Sequence, residues 1–230
     1  MRWRHYKIAR ERMVREQLYD RGIRDKRVLE AMLMVPRHVF LDREAGSEAY
    51  CDHSFPIGYS QTMSQPFMVA YLAEQLKLGG QESVLEIGTG SGYTAAILGA
   101  LTKEVFSIER VAALASKARE SLQDLLFRNV IVEIGDGANG WPDKGPFDRV
   151  LLTAAAKQVP KSLLMQLKDG GIFLGPVEKT DGSQEIVRLT REGDTFALER
   201  LIDCSFVPLI RDPAIRPQPA QMNQGEGYAR

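Results

Sequence analysis

Between Ser83 and Val177 the chain changes its hydrophobic period again and again: "SVLEIG", "TAAILGAL", "EVFSIE", "VAALASKARESLQDLL", "VIVEIG", "DRVLLTAAA", "PKSLLMQLKDGG" and "IFLGPV" follow in order. Short continuous apolar runs suit strands buried on both faces, and the runs between them read as helices. Such alternation admits few architectures, the simplest being a doubly wound α/β fold with a mostly parallel sheet covered by helices. The stretch "EIVRLTREGDTFALERLIDCSFVPLI" departs from the pattern. Two β-prone runs flank the turn "REGD" with no helix between them, which predicts an antiparallel hairpin at one sheet edge.

Ahead of this region, Met13, Leu18, Val28, Leu29, Met32 and Leu33 stand among charges at helical spacings, so two helices are expected between Ile8 and about Met34. Gly22 is placed to end the first, and Asp25 to cap the second before Pro36 closes it. "PIGYSQTMSQP", residues 56–66, then sets hydroxyl and amide side chains between two prolines, either as a plain surface turn or as a polar lid over a site. It feeds directly into a helix that Pro66 starts and Gly79–Gly80 stop. Residues 211–230 are rich in Pro, Gln and Gly and predict a mobile tail. The organisation expected is therefore an N-terminal helical extension over 1–55, a main domain over 56–210 and the tail.

Composition narrows the function classes. In 230 residues, 44% are hydrophobic and 26% charged, enough for one substantial core. Thirty basic residues balance thirty acidic ones, so no global field draws the chain onto nucleic acid or an anionic membrane. No apolar run approaches the roughly 20 residues needed to span a bilayer. Cys51 and Cys204 lie far apart without metal-ligand spacing, and the start lacks the apolar stretch of a secretory signal. A reducing cytoplasm is the expected setting, with no metal, nucleic acid or membrane as partner.

The strongest chemical signal is "VLEIGTGSGYTAAIL": a strand, Glu86, glycines at 88, 90 and 92, then a helix. Glycine lets the backbone approach a ligand, and the helix N-terminus faces it. The spacing does not suit a dinucleotide, because the third glycine of that fingerprint would fall on Tyr93. A phosphate loop is excluded too, since no lysine lies between 78 and 102. A carboxylate at Glu86 would repel a pyrophosphate and favour a cationic cofactor, although Glu86 could equally serve as a helix-dipole partner only. S-adenosylmethionine, with its sulfonium and ammonium groups, matches these signs. The next strand ends in Glu109, suited to accept from ribose hydroxyls, and the following one in Asp136–Gly137, suited to the adenine edge.

Taken with "VPRHVF", "PIGYSQTMSQP", "SIER", "GDGANGW", "PFDRVLLTAAA", "LLMQLKDGGIFLGPV" and "FVPLI", in that order, the chain resembles the protein-L-isoaspartate O-methyltransferases over about residues 10 to 210. The resemblance implies a Rossmann-like class I S-adenosylmethionine-dependent fold and a repair reaction. A methyl group would pass to the free carboxylate of an isoaspartyl residue in a damaged protein or peptide, and the ester would cyclise to a succinimide that hydrolyses partly to normal aspartate. It places the catalytic serine on Ser64, substrate contacts on Gln61, Thr62, Met63 and Ser64, and cofactor contacts on Glu86, Gly88, Gly90, Gly92, Glu109, Arg110, Asp136 and Gly137. Ser60 stands where many relatives have glycine, Met63 where isoleucine is usual, Lys157 where proline is common, and Glu178 where glycine is frequent.

The absence of an acid–base dyad agrees with such chemistry. A carboxylate with a pKa of about 4 is already ionised at neutral pH, so the nucleophile comes from the substrate and the protein's task is alignment. Neutral hydroxyls and amides orient an anion without neutralising it. His38 reads as structural, His53 as solvated or structural, Trp141 as a core wall and both cysteines as inert thiols. Two other functions stay open: methylation of ordinary aspartate in a particular peptide, and a non-catalytic adaptor that binds S-adenosylmethionine.

Overall fold

The computed structural model describes residues 2–211; the side chains of residues 2–4, 43, 44 and 47 are outside the description. The first helix, α1 (Arg2–Arg12), runs on as a π-helical stretch from Met13 to Tyr19. Gly22, at φ 104°, turns the chain where the sequence places the stop. Asp25 caps α2 (Lys26–Met34), its Oδ1 accepting the Arg27 N–H at 2.8 Å. These elements bury Met13, Leu18, Val28 and Met32 in the same cluster as Leu72 and Leu76 of the α3 region (helix Pro66–Gln75) and Ile97 of α4 (Tyr93–Leu101).

Seven strands form the main sheet: β3 (Ser83–Ile87), β4 (Glu104–Glu109), β5 (Val130–Ile134), β6 (Phe147–Leu152), β7 (Leu167–Glu178), β8 (Gln184–Glu192) and β9 (Thr195–Cys204). Their spatial order is β5-β4-β3-β6-β7-β8-β9, parallel from β5 through β7 and antiparallel beyond. The chain leaves β3 toward β4 and β5 by way of α4 and α5 (Ala112–Asp124), then returns to β6 on the other side of β3. That reversal opens a crevice at the carboxyl ends of β3, β4 and β6. Side chains alternate across the sheet: Val84, Val105, Leu151 and Leu174 enter the cluster beneath the helices, and Leu85, Phe106, Val150 and Phe173 enter a second cluster with Trp141 and Phe147. The "REGD" hairpin forms as expected, with Glu192 opposite Thr195 and Gly193 at φ 60°.

Two sequence expectations need correction. "PKSLLMQLKDGG" reads as one helix, yet α6 covers only Lys161–Leu164 and β7 has begun by Leu167. Leu163 and Leu167, four apart, fit a helical stripe, but both are wholly buried and Leu167 pairs with Phe147, whose N–H donates to the Gln166 carbonyl at 2.7 Å. Sheet pairing wins over local periodicity. "PIGYSQTMSQP" is likewise more ordered than a loop: β1 (Phe55–Gly58) and β2 (Gln61–Met63) form a small antiparallel hairpin ahead of α3.

Candidate active site

The glycine loop follows β3 as the sequence suggests, and β4 stitches it in place. Gly88 and Thr89 donate to the Ile108 carbonyl at 2.8 and 3.3 Å, and Gly92 donates to the Thr89 carbonyl at 2.9 Å. Gly88 lies at φ 97°, and a Cβ there would stand 2.4 Å from Thr153 Oγ1, so no other residue fits without displacing Thr153. Gly92, at φ 90°, is the N-cap of α4. At Gly90 a Cβ would meet Ile57 Cδ1 at 3.3 Å, which shows that β1 overlies the loop.

Glu109, at the end of β4, binds the backbone on both sides: Oε2 accepts the Gly90 N–H at 2.8 Å and Oε1 the Val111 N–H at 2.9 Å. Each oxygen keeps a second acceptor site for a ligand hydroxyl. Asp136 accepts the Ala138 N–H at 2.9 Å, and Gly137 packs so closely on Ile87 that a Cβ would lie 2.3 Å from its Cγ2. A narrow cleft of about 50 Å³ brings together Gly88, Glu109, Arg110 and Gly137, with Gln61 and the Pro208–Ile210 segment across it. Drug-sized ligand sites occupy roughly 300 Å³ or more, so the cleft with Gln61 and that segment in place is narrower than a typical ligand site.

Glu86 corrects the electrostatic part of the sequence reading. Its side chain is fully enclosed; Oε2 accepts from Ser107 Oγ at 2.5 Å, Thr89 Oγ1 lies 2.5 Å beyond Ser107, and Oε1 has no partner. Burial pushes the Glu86 carboxyl up to about 8, the Ser107 hydrogen bond opposing this only in part. At neutral pH the group is mainly protonated and presents no free carboxylate to the cleft. A buried acid with an orphaned oxygen beside a glycine cradle does fit a cofactor that carries a cation, whose approach would favour the ionised form.

A second cavity, of 370 Å³, holds Ser54, Thr62, Ser64, Gln65 and Met68 on one side and Thr153 with Asp203–Val207 on the other. Thr62, Ser64 and Gln65 of the 56–66 stretch therefore border a pocket. Met63 does not face it: the side chain is 3% exposed and packs in the core, so it anchors the hairpin while its neighbours line the pocket. Asp203 is held by Lys179 at 2.8 Å. Thr153, which sequence analysis missed, lines this pocket and contacts Gly88, donating from Oγ1 to the Ile87 or Gly88 carbonyl at 2.9 or 2.8 Å. Its position just past the end of β6, at the switch point, was the available signal.

The remaining candidates take structural places. His38 Nδ1 lies 2.6 Å from the Tyr50 hydroxyl, and its ring stacks on Tyr6 at 3.9 Å. Burial, helped by the Arg10 charge, holds its pKa below the ordinary value. Trp141 packs edge-on against Phe106, and burial pushes the Cys204 thiol up to about 11.

A glycine loop at the switch point of a largely parallel sheet, with an acid ending the next strand, defines a Rossmann-like methyltransferase of class I. Comparison with known proteins sharpens the class. The family described as protein-L-isoaspartate(D-aspartate) O-methyltransferase matches residues 9–213. A protein-L-isoaspartate O-methyltransferase of Syntrophobacter fumaroxidans is 51% identical over 206 residues, covering 90% of this chain and 96% of its own. One from Geotalea uraniireducens is 48% identical over 204 residues, covering 88% and 94%. A solved protein-L-isoaspartate O-methyltransferase superposes with a TM-score of 0.77 at 27% identity, spanning 90% of this chain and 65% of that longer one. A Plasmodium falciparum structure, solved with S-adenosyl-L-homocysteine, gives 0.76 at 24% identity, covering 90% of this chain and 99% of that one. The chain belongs to the protein-L-isoaspartate (D-aspartate) O-methyltransferase family.

Proposed function

We propose that the protein transfers a methyl group from S-adenosylmethionine to the free carboxylate of L-isoaspartyl residues in damaged proteins and peptides. One observation carries the reading: the hydroxyl-lined pocket holding Ser64 adjoins the cleft at the glycine loop, Thr153 of the first donating to the carbonyl of Gly88, which lines the second. An acceptor in the first would lie against a donor in the second.

Bound S-adenosylmethionine supplies a methyl carbon already activated by its sulfonium, so no residue has to act as a general base. The Gly88–Gly92 backbone would cradle the cofactor, Glu109 would receive its ribose hydroxyls, and Arg110 and the Asp136–Gly137 turn would border its base. Ser64 Oγ donates to the attacking carboxylate, while Gln61 and Thr62 close over the two clefts and exclude water. The substrate's carboxylate oxygen would take the methyl group while the sulfur keeps the electron pair of the carbon–sulfur bond, so the residues here need only hold that oxygen in line. Such alignment of an oxygen roughly 3 to 3.5 Å from carbon is the main catalytic contribution available here. The extension over 1–55, the domain over 56–210 and a cytoplasmic setting are part of the same proposal; most of the tail at 211–230 falls outside the described residues.

The test uses labelled cofactor and two peptides that differ only in whether one aspartyl linkage runs through the α or the β carbonyl. Strong labelling of the β-linked peptide alone is expected, and Ser64→Ala should lower its turnover about 10²-fold. Equal labelling of both would point to ordinary aspartate instead, and wild-type turnover by Ser64→Ala would remove that serine from the mechanism.

A further inference from the structure

Arg37, in "VPRHVF", is completely buried and among the described residues has no carboxylate within ion-pair distance. Removing a guanidinium from water without a counter-ion in contact is expensive, the charge of Asp52 offsetting the burial cost only in part, and a methionine of similar length would fill the same space without that cost. What the group does instead is hold main chain. Nε donates to the Ala49 carbonyl at 2.8 Å, Nη2 donates to the Ser64 carbonyl at 2.7 Å, and Nη1 has no partner.

The same guanidinium stands 4.9 Å from the Tyr93 ring, the first residue of α4 and the one after Gly92. Three residues on, Phe40 packs edge-on against Tyr93 at 5.6 Å, and its Cε1 would lie 3.5 Å from a Cβ at Gly92. The turn Arg37–Phe40 is thus wedged between the backbone of Ser64 and the exit of the glycine loop. A planar fork can span two carbonyls and an aromatic face together; a lysine cannot.

We propose that Arg37 is a positioning residue for methyl transfer, fixing the Ser64 main chain relative to the glycine loop so that Ser64 Oγ meets the acceptor carboxylate in line with the donor. This rests on the assignment of Ser64 as the residue that orients the acceptor. Arg37 acts only through Ser64 and touches neither ligand. Because the Arg37 hydrogen bonds go to the Ala49 and Ser64 carbonyls and none goes to the glycine loop, which it meets only through the Tyr93 ring, the effect falls mainly on turnover and much less on cofactor affinity.

The experiment compares Arg37→Met, Arg37→Lys, Ser64→Ala and the double variant Ser64→Ala/Arg37→Met in the full chain, on an isoaspartyl peptide, with S-adenosylhomocysteine affinity measured by calorimetry. Arg37→Met should lose about 100-fold in kcat with peptide KM and S-adenosylhomocysteine affinity near wild type. Arg37→Lys, which keeps one carbonyl bond, should lose roughly tenfold. The double variant should be no slower than Ser64→Ala, since the two act as one unit. Wild-type kcat in both Arg37 variants, losses that multiply in the double, or a fall in S-adenosylhomocysteine affinity parallel to kcat would each overturn the proposal. Should Arg37→Met fail to fold, Arg37→Lys with and without Ser64→Ala carries the same comparison. Full turnover by Ser64→Ala would sink the serine assignment and this inference with it, whereas an impaired Ser64→Ala beside unimpaired Arg37 variants sinks the inference alone.

Discussion

Glu86→Gln tests the electrostatics of the cofactor strand. In the unfolded chain Glu86 releases its proton near the ordinary 4.5, while in the native chain burial keeps it on until about 8. Between those pH values the unfolded state binds one proton fewer than the native state, so unfolding becomes easier as pH rises. The slope for one proton is about −1.4 kcal/mol per pH unit, and the whole interval corresponds to roughly 5 kcal/mol lost by the time pH passes the native value. Below the unfolded value the effect vanishes. Glutamine has nearly the same shape, retains an oxygen for the Ser107 hydroxyl, and cannot ionise. The unpaired amide N–H groups it introduces cost the same at every pH. Urea unfolding of both proteins at about one-unit steps from roughly pH 5 to 8.5 isolates Glu86 together with its coupling to Glu109, because titrating groups that do not interact with it cancel in the difference. The stability of Glu86→Gln minus that of wild type should climb by about 1.4 kcal/mol per unit and level off near the native pKa. A difference that stays flat with pH would refute the buried, protonated carboxyl.

Other perturbations probe the loops. Tyr59 and Ser60 both have positive φ, 54° and 56°, at the tip of the β1–β2 hairpin, a left-handed conformation that costs a side-chain-bearing residue about 1 to 2 kcal/mol. Ser60→Gly should relieve this, and after glycine's greater unfolded-state entropy a net gain of about 0.5 kcal/mol should appear as a higher urea midpoint; a lower midpoint would contradict the strain. Gly88→Ala drives a Cβ to 2.4 Å from Thr153 Oγ1 at a φ of 97°. It should cost about 2 kcal/mol in denaturant unfolding and at least tenfold in S-adenosylhomocysteine affinity, and unchanged calorimetric binding would remove Gly88 from the cofactor site.

Much of this protein can be read one residue at a time. The "REGD" hairpin, the Asp25 cap, the stop at Gly22 and the strand–glycine–helix unit all depend on neighbours a few positions apart, and each stands where the sequence puts it. The resemblance in "PIGYSQTMSQP" picked out the hydroxyls that line the pocket, because residue type there is set by chemistry more than by packing. What failed was whatever depends on partners far along the chain. Leu167 joins a strand because Phe147 offers an edge, and Met63 turns inward to pack in the core cluster that the helices build from distant residues.

Glu86 illustrates the boundary most clearly. Local sequence determined that an acid stands next to last in the strand before the glycines, and its register opposite Ser107 follows from the β3–β4 pairing. Only the tertiary structure decided that the acid is enclosed and kept protonated, that Thr153 lines the Ser64 pocket while bonding the Gly88 carbonyl, and that a buried Arg37 grips the Ser64 carbonyl. Periodicity and turn chemistry are short-range properties carried by adjacent residues, whereas desolvation and convergence belong to groups that meet only when distant segments pack together.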